Sequence, residues 1–183
     1  MTNALLEPSE TLRTLVSRGI THVVGLTDRI SEPLFQVATK HPSIKLITVT
    51  QDSEAFAIAA GLWIGGASPF VVIRNTGLLE SGEVIRSTVL RMAAPIPMLV
   101  TGHGYDEITE ASVTPEDLPT TELLSRSDVD SAAVLTEPTL AAWGIPFLRC
   151  GAEDDPVAAI SQTINDARAD QCAGAVIMAR SLS

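Results

Sequence analysis

The chain has 183 residues, of which 45% are apolar and 4% aromatic, and its 22 acidic and 12 basic residues give a formal net charge of −10. That length suffices for one domain with a full, mainly aliphatic core. The acidic balance argues against nucleic acid and anionic membranes as partners, because both select basic surfaces. No apolar run reaches the roughly 20 residues that span a bilayer, and residues 1–10 lack the pattern of a secretory signal. Cys150 and Cys172 have no metal or redox spacing, so we expect a single cytoplasmic domain over residues 1–183.

Apolar runs with strand character alternate with segments of helical periodicity along the chain. The predicted strands are 21–26, 44–49, 69–73, 96–101, 146–149 and 173–179. The predicted helices are 8–18, 31–39, 53–64, 79–92, 122–126, 138–143 and 154–169. Residues 106–121 are polar and contain two prolines, which predicts a surface loop. This alternation indicates an α/β fold with a mostly parallel open sheet and helices on both faces.

The stretch 50–66 is central to the functional prediction. It begins at the end of the second predicted strand and continues as a helix, which Asp52 or Ser53 can cap with a side-chain oxygen. Beyond Glu54 this helix is apolar or small on almost every face, so we expect it to be buried on all sides. Glu54 then stands at the mouth of a buried helix, beside the edge of the sheet where ligands bind. An acid in the first turn is also favoured by the helix dipole, so a capping role and a catalytic role are both open.

Two further candidates follow predicted strands. Asp28 lies in the loop after the first strand, and His103 follows the fourth strand between Gly102 and Gly104. Because the carboxyl ends of parallel strands meet at one edge, we expect both loops to line one crevice. Asp28 can instead cap its own turn or the next helix, and His103 can be an ordinary loop residue.

Signatures of other chemistries are missing from the sequence. Gly102-His103-Gly104 lacks the third glycine of a dinucleotide site, and neither a phosphate-binding Gly-x-x-x-x-Gly-Lys nor a Gly-x-Ser-x-Gly nucleophile turn is present. The three histidines are not spaced as metal ligands, so no metal site is expected in this chain. The acidic run Glu153-Asp154-Asp155 lies at a helix start and suits capping.

Glu54-x-x-x-x-Ala59-Ala60-Gly61 is followed by a second small-residue patch, a strand and an Asn75-x-Gly77 turn. This combination of motifs resembles the pyrimidine-binding domain of thiamine diphosphate enzymes. The sequence is most similar to the alpha subunit of sulfopyruvate decarboxylase and the matching half of phosphonopyruvate decarboxylase. Ile96-Pro97-Met98-Leu99 also matches the family's fourth strand.

The departures from the family lie in the loops after the strands. The family reads Gln-Asn-Ser-Gly-Leu-Gly-Asn after its third strand, where this chain has Arg74-Asn75-Thr76-Gly77-Leu78-Leu79-Glu80. His103-Gly104 replaces Arg-Gly, and Thr27-Asp28 replaces Pro-Asp. These changes affect the expected substrate more than the expected fold or cofactor.

The resemblance implies a carboxy-lyase that decarboxylates a 2-oxo acid with thiamine diphosphate. In this family a glutamate hydrogen-bonds a ring nitrogen of the cofactor's pyrimidine, and the matching residue is Glu54, whose burial should raise its pKa. Further cofactor contacts are implied for the Asn75-Thr76-Gly77 turn. Asp28 and His103 are implied in substrate binding, and His103 also in proton delivery, since histidine titrates near neutral pH.

The family anchors the diphosphate through magnesium with Gly-Asp-Gly and a later Asn, and this sequence has no Gly-Asp-Gly. The resemblance therefore implies that a separate diphosphate-binding, beta-type subunit holds the Mg²⁺, in an oligomer with at least two copies of each chain. Two alternatives stay open. One is a non-catalytic structural or regulatory partner with the same fold, and the other is a subunit of a thiamine-dependent carboligase.

Overall fold

The computed structural model describes residues 7–114, 117 and 119–179. The strands are β1 (His22–Gly25), β2 (Lys45–Thr48), β3 (Pro69–Arg74), β4 (Pro97–Thr101), β5 (Phe147–Cys150) and β6 (Gly174–Met178). The helices are α1 (Pro8–Ser17), α2 (Glu32–Lys40), α3 (Asp52–Ile64), α4 (Asn75–Glu80), α5 (Gly82–Val84), α6 (Tyr105–Glu110), α7 (Thr121–Leu124), α8 (Ser131–Ala142) and α9 (Pro156–Asp170). A π-helical segment, Ile85–Leu90, follows α5.

The six strands form one sheet in the order β2-β1-β3-β4-β6-β5, and all neighbouring strands are parallel. The predicted fold class is therefore confirmed. From β1 the chain runs outward to β2 and then returns to β3 on the opposite side of β1. The carboxyl ends of β1 and β3 thus form a topological switch point, where open α/β sheets bind ligands.

Both faces of the sheet are covered by apolar side chains, as the uninterrupted apolar strands predict. Alternate residues of β3 point to opposite faces, so Val71 and Ile73 pack in one core while Phe70 and Val72 pack in the other. Helices α3 and α8 contribute to the first core, and α1, α2 and α9 to the second. This double covering fixes the register, which holds Gly25 at the end of β1 against Val72 of β3. A Cβ on Gly25 would overlap the Val72 carbonyl, so only glycine fits there.

The expectation that α3 is buried on all sides is wrong for this chain. Ala55, Phe56 and Ala59 are buried against the sheet, but Ala57 and Gly61 on the opposite face are exposed. Ile64, at the end of the helix, is 67% exposed. The sequence therefore correctly shows an apolar helix, but one side of it, at Ala57, Gly61 and Ile64, has no cover from the described part of the chain.

The segment after β3 differs from its prediction. Helical backbone begins at Asn75 inside the predicted turn, and the predicted helix over 79–92 is instead α4, α5 and the π-helical segment. The Ser81 hydroxyl donates to the Gly77 carbonyl at 2.6 Å, where α4 ends. Glycine at position 82 then weakens helical continuity, because it has the largest backbone entropy to lose.

Two other boundaries are also corrected. Part of the predicted loop over 106–121 is the helix α6, which buries Tyr105 and Ile108; residues 115, 116 and 118 of that prediction lie outside the described residues. Helix α8 begins at Ser131, because Asp130 caps its first amides, and Pro138 lies inside it rather than at its start. Capping of α9 by Asp155 agrees with the prediction for the acidic run.

The prediction that residues 1–10 lack a secretory signal concerns residues 1–6 in part, and these also lie outside the described residues. Within the described ranges, no helix combines the length and the apolar character needed to cross a bilayer.

Candidate functional site

Asp28 lies at the centre of a network that joins three strand ends. Its Oδ1 accepts hydrogen bonds from the amides of Ile30 and Ser31 at 3.1 and 2.8 Å and from the Ser31 hydroxyl at 2.6 Å. Its Oδ2 accepts from the Thr101 hydroxyl, which reaches it from the end of β4. Asp28 therefore closes its own turn, as the alternative prediction states, and also ties β1 to β4 across the end of β3.

The predicted meeting of Asp28 and His103 is found in the structure. His103 Nε2 lies 2.9 Å from Asp28 Oδ2, with 43% of the histidine side chain and 7% of the aspartate side chain exposed. Burial alone would raise the pKa of Asp28, but hydrogen bonds from Ser31, Thr101 and His103 outweigh it and hold the pKa below its ordinary value. The pair thus presents an exposed imidazole that is oriented by a buried carboxylate.

The predicted cofactor-binding turn has one exposed and two buried residues. Asn75 is buried; its side-chain amide donates to the His103 carbonyl at 2.8 Å, and its Oδ1 accepts from the Thr76 amide at 3.0 Å. Thr76 is exposed, whereas Gly77 is buried against the side chain of Asp52. Asn75 therefore positions the His103 loop, and the cofactor contacts of this turn stay a prediction.

Glu54 is not in the environment that its predicted role requires. Its side chain is exposed, and Oε2 accepts from the Thr50 amide, the Thr50 hydroxyl and the Gln51 amide at 3.0–3.1 Å. These bonds hold the pKa of Glu54 below its ordinary value, so the expected rise is wrong. They also cap α3, so the helix begins after Gln51 and is capped by neither Asp52 nor Ser53. The catalytic role of Glu54 itself stays a prediction.

Asp52, which the sequence predicts only as a helix cap, is a further candidate site residue. Its side chain is 1% exposed, and Arg74 Nη2 donates to its Oδ2 at a rather long 3.3 Å. Asp52 Oδ1 and Arg74 Nε are both buried and have no hydrogen-bond partner among the described residues. Burial raises the pKa of Asp52, with smaller contributions in the same direction from the charges of Glu80 and Asp28, while Arg74 opposes the rise.

A sequence signal for this pair did exist. Arg74 is one of three departures from the family's third-strand turn, with Leu79 and Glu80, and it ends an otherwise apolar strand. A cation in that position needs a nearby anion, because an unpaired charge is expensive to bury. Asp52 follows the second strand and was available for that role, but it was interpreted only as a cap.

The site as a whole is a row of charged groups along the carboxyl edge of β2, β1, β3 and β4. It contains two buried carboxylates, one exposed imidazole and one guanidinium. The buried and unpaired carboxylate oxygen of Asp52 fits a ligand that brings a hydrogen-bonding ring nitrogen, which is what the thiamine pyrimidine offers. Among the described residues, no cluster of three or more potential ligands could hold a metal ion.

No protein-family model matches the chain. A phosphonopyruvate decarboxylase of Streptomyces viridochromogenes is 31% identical over 90 residues, which are 49% of this chain and 23% of that protein. The sulfopyruvate decarboxylase subunit alpha of Methanothermobacter thermautotrophicus is 31% identical over 81 residues, 44% of this chain and 49% of that one. The chain thus matches half or less of the length of these relatives.

Among solved structures, the benzoylformate decarboxylase of Polynucleobacter necessarius matches with a TM-score of 0.57 at 14% identity, covering 94% of this chain and 33% of that one. Fold and strand-end geometry define an α/β domain with charged side chains gathered at the edge of the sheet where such folds bind ligands. The sequence relatives and this fold match together support the more specific class implied by the resemblance, a thiamine diphosphate-dependent decarboxylase domain.

Proposed function

We propose that this chain supplies the pyrimidine-side half of the active site of a thiamine diphosphate-dependent 2-oxo acid decarboxylase. Its substrate would be of the sulfopyruvate or phosphonopyruvate type, since those acids appear in the names of its relatives. The observation that carries the proposal is the set of carboxylates gathered at the switch point, one of which has a buried oxygen with no partner among the described residues. Such groups are rare in folded proteins and concentrate where a ligand completes them.

Two neighbouring groups of residues in this chain would have separate roles, one in contacting the cofactor and the other in binding the substrate. The carboxylates in the first turn of α3 would contact the cofactor, and Glu54 is the one that the sequence predicts for this contact. His103, held by Asp28, would bind the anionic substrate and move a proton. Thiamine diphosphate, when bound, would act as the electron sink for decarboxylation.

A second chain would complete the site. The exposed apolar face of α3, formed by Ala57, Gly61 and Ile64, supports a partner surface at the end of the crevice. The net charge of −10 disfavours unaided capture of a diphosphate, so the partner would hold the diphosphate and its Mg²⁺. Subunit alpha in the name of one relative supports this division of labour, and two copies of each chain are the smallest assembly we expect.

Reconstitution tests this function. The chain is produced with and without a neighbouring reading frame that encodes Gly-Asp-Gly and a distal Asn, and CO₂ release from sulfopyruvate and phosphonopyruvate is measured. We expect activity only from the pair, and weak thiamine diphosphate binding by the isolated chain in calorimetry with Mg²⁺. Tight binding or full activity without a partner would contradict the half-site proposal.

The same assay separates the two alternatives. A pair that consumes the 2-oxo acid only when an aldehyde acceptor is added would be a carboligase. A stable pair with neither activity would be evidence for a structural or regulatory partner.

A further inference from the structure

We propose that Asp52, rather than Glu54, is the carboxylate of this chain that contacts the cofactor, and that Arg74 is a positioning residue that holds Asp52 until the cofactor arrives. This inference rests on the proposed function, because it names the residue through which that function would operate. It differs from the sequence-based assignment in the residue itself and in the control exerted by an arginine.

The first step is the difference in hydrogen bonding between the two carboxylates. Glu54 is exposed and its Oε2 already accepts three hydrogen bonds from residues just before the helix. Asp52 is 1% exposed, and its Oδ1 has no partner within the described part of the chain. A donor that reaches Asp52 Oδ1 would satisfy a buried acceptor that neither solvent nor the described residues satisfy, whereas the exposed Glu54 carboxylate is already solvated and gains less from a ligand.

The second step is the geometry of Arg74. It reaches Asp52 from the end of β3 through one nitrogen at 3.3 Å, rather than through the two parallel bonds of a strong arginine–carboxylate pair. Its side chain is 41% exposed, so it can turn toward solvent without rearrangement of the core. The pair is thus well placed to separate when another donor takes its position.

The third step is the fit around Asp52. Gly77 of α4 packs so closely that a Cβ at this position would overlap the Asp52 carboxyl group. The Asp52 side chain is therefore fixed on one side by α4 and covered on the other by Arg74. We expect access to Asp52 to come from movement of Arg74 and not of α4, because α4 is anchored by Asn75 and by the buried Leu78.

The fourth step is the protonation state. Burial, Glu80 on α4 and Asp28 after β1 all favour the neutral form of Asp52, whereas Arg74 favours the charged form. A charged carboxylate can only accept a hydrogen bond, whereas a neutral carboxyl can also donate one. Separation of Arg74 would therefore push the pKa of Asp52 upward and make a proton available at the cofactor.

The first experiment follows the carboxyl carbon of Asp52 by NMR in the isolated chain, with aspartate carbons labelled and the signal assigned by its loss in Asp52→Asn. We expect a higher Asp52 pKa in Arg74→Gln than in wild type, and a value close to wild type in Arg74→Lys. An unchanged pKa in Arg74→Gln would overturn the role of Arg74.

The second experiment compares two matched substitutions in the reconstituted assembly, Asp52→Asn and Glu54→Gln, with thiamine diphosphate and Mg²⁺ as the probe. We expect the cofactor to shift the Asp52 signal in the wild-type assembly. Asp52→Asn should weaken cofactor binding and lower turnover by about a hundredfold or more, and both losses should exceed those of Glu54→Gln. Unchanged circular dichroism spectra would confirm that both variants fold.

The outcomes separate this inference from the proposed function. An assembly that releases CO₂ but loses that activity only in Glu54→Gln, with Asp52 undisturbed by the cofactor, would overturn the inference and leave the function standing. If the cofactor shifts the NMR signal of Asp52 but the assembly decarboxylates no 2-oxo acid, the inference stands and the proposed function is overturned. An assembly that does not bind the cofactor would overturn both.

Discussion

Asp28 and Asp52 each follow a strand of the same sheet edge, and both carboxylates are buried, but their surroundings differ. Asp28 accepts hydrogen bonds from two backbone amides and from the side chains of Ser31, Thr101 and His103. Asp52 has one long contact with Arg74 and one oxygen without a partner among the described residues. Their pKa values accordingly move in opposite directions, down for Asp28 and up for Asp52.

The difference indicates what each carboxylate contributes to the protein. At Asp28 the unfavourable burial of a charge is offset by hydrogen bonds that close its own turn and tie the end of β1 to the end of β4, so this group stabilises the fold while it orients His103. At Asp52 the burial is only partly offset, so the group weakens the fold in the absence of a ligand. Uncompensated burial of this kind is typical of binding and catalytic sites.

The largest expected effect comes from Asp28→Ala. The substitution leaves the Thr101 hydroxyl and the amides of Ile30 and Ser31 without their acceptor, so we expect a loss of about 3 kcal/mol in the free energy of unfolding. Urea denaturation measures it, and Thr101→Val is the control, which removes one donor and should lower the free energy by only about 1 kcal/mol. Equal effects of the two substitutions would contradict the central role of Asp28.

The next effect concerns the packing that confines Asp52. Gly77→Ala places a methyl group into the Asp52 carboxyl, so we expect a destabilisation of about 2 kcal/mol, together with displacement of Asp52. Gly61→Ala is the matched control, because a Cβ there meets no heavy atom within 4 Å and alanine favours helix over glycine. It should stabilise the isolated chain by up to about 1 kcal/mol. If Gly77→Ala is neutral, α4 can move away and Asp52 is not confined.

The sheet could be predicted from the sequence because its strands are apolar runs separated by helical segments, a pattern that needs no knowledge of tertiary contacts. The meeting of Asp28 with His103 followed from the same logic, since parallel strands end at one edge. Helix α6 was missed because its polar face resembles a loop, and its helical state depends on burial of Tyr105 and Ile108 against the core. The start of α8 is not predictable from Pro138, because proline favours the first turn of a helix but here lies inside one.

The choice between Asp52 and Glu54 could not be made from the sequence. The two residues are two positions apart in α3, which turns them by about 200° around the helix axis. When one faces the sheet, the other faces away. Which one faces inward depends on how α3 packs, and that is decided by Ala55, Phe56 and Ala59 in the core. Composition within the turn gives no preference, because both residues are acids near a helix start.

The pH dependence of stability should show the difference between Asp28 and Asp52 directly. The folded-state pKa of Asp52 is raised, so its favourable contribution is present below the unfolded value of about 3.9 and is lost as the pH rises through the folded pKa. The folded-state pKa of Asp28 is lowered, so its contribution is present above about 3.9 and is lost as the pH falls through the folded pKa.

Urea titrations of wild type, Asp28→Asn and Asp52→Asn across the acidic range measure both contributions. Relative to wild type, Asp52→Asn should gain stability as the pH rises, and Asp28→Asn should lose it, by about 1.4 kcal/mol for each unit of pKa difference. If the stability of both variants relative to wild type changed in the same direction with pH, the pKa values of Asp28 and Asp52 would not be shifted in opposite directions.

The smallest expected effect is that of His103→Ala on stability. The imidazole is 43% exposed and supplies only one of several hydrogen bonds to Asp28, so its removal should lower the free energy of unfolding by less than about 1 kcal/mol. Its backbone carbonyl, which anchors Asn75, is unchanged by the substitution. In the reconstituted assembly the same variant should lower turnover or raise the Michaelis constant, because the exposed face of the ring is free to meet a substrate. A large loss of stability with unchanged kinetics would instead make His103 a structural part of the Asp28 network, and the substrate-binding role would then have to lie with other residues of the crevice.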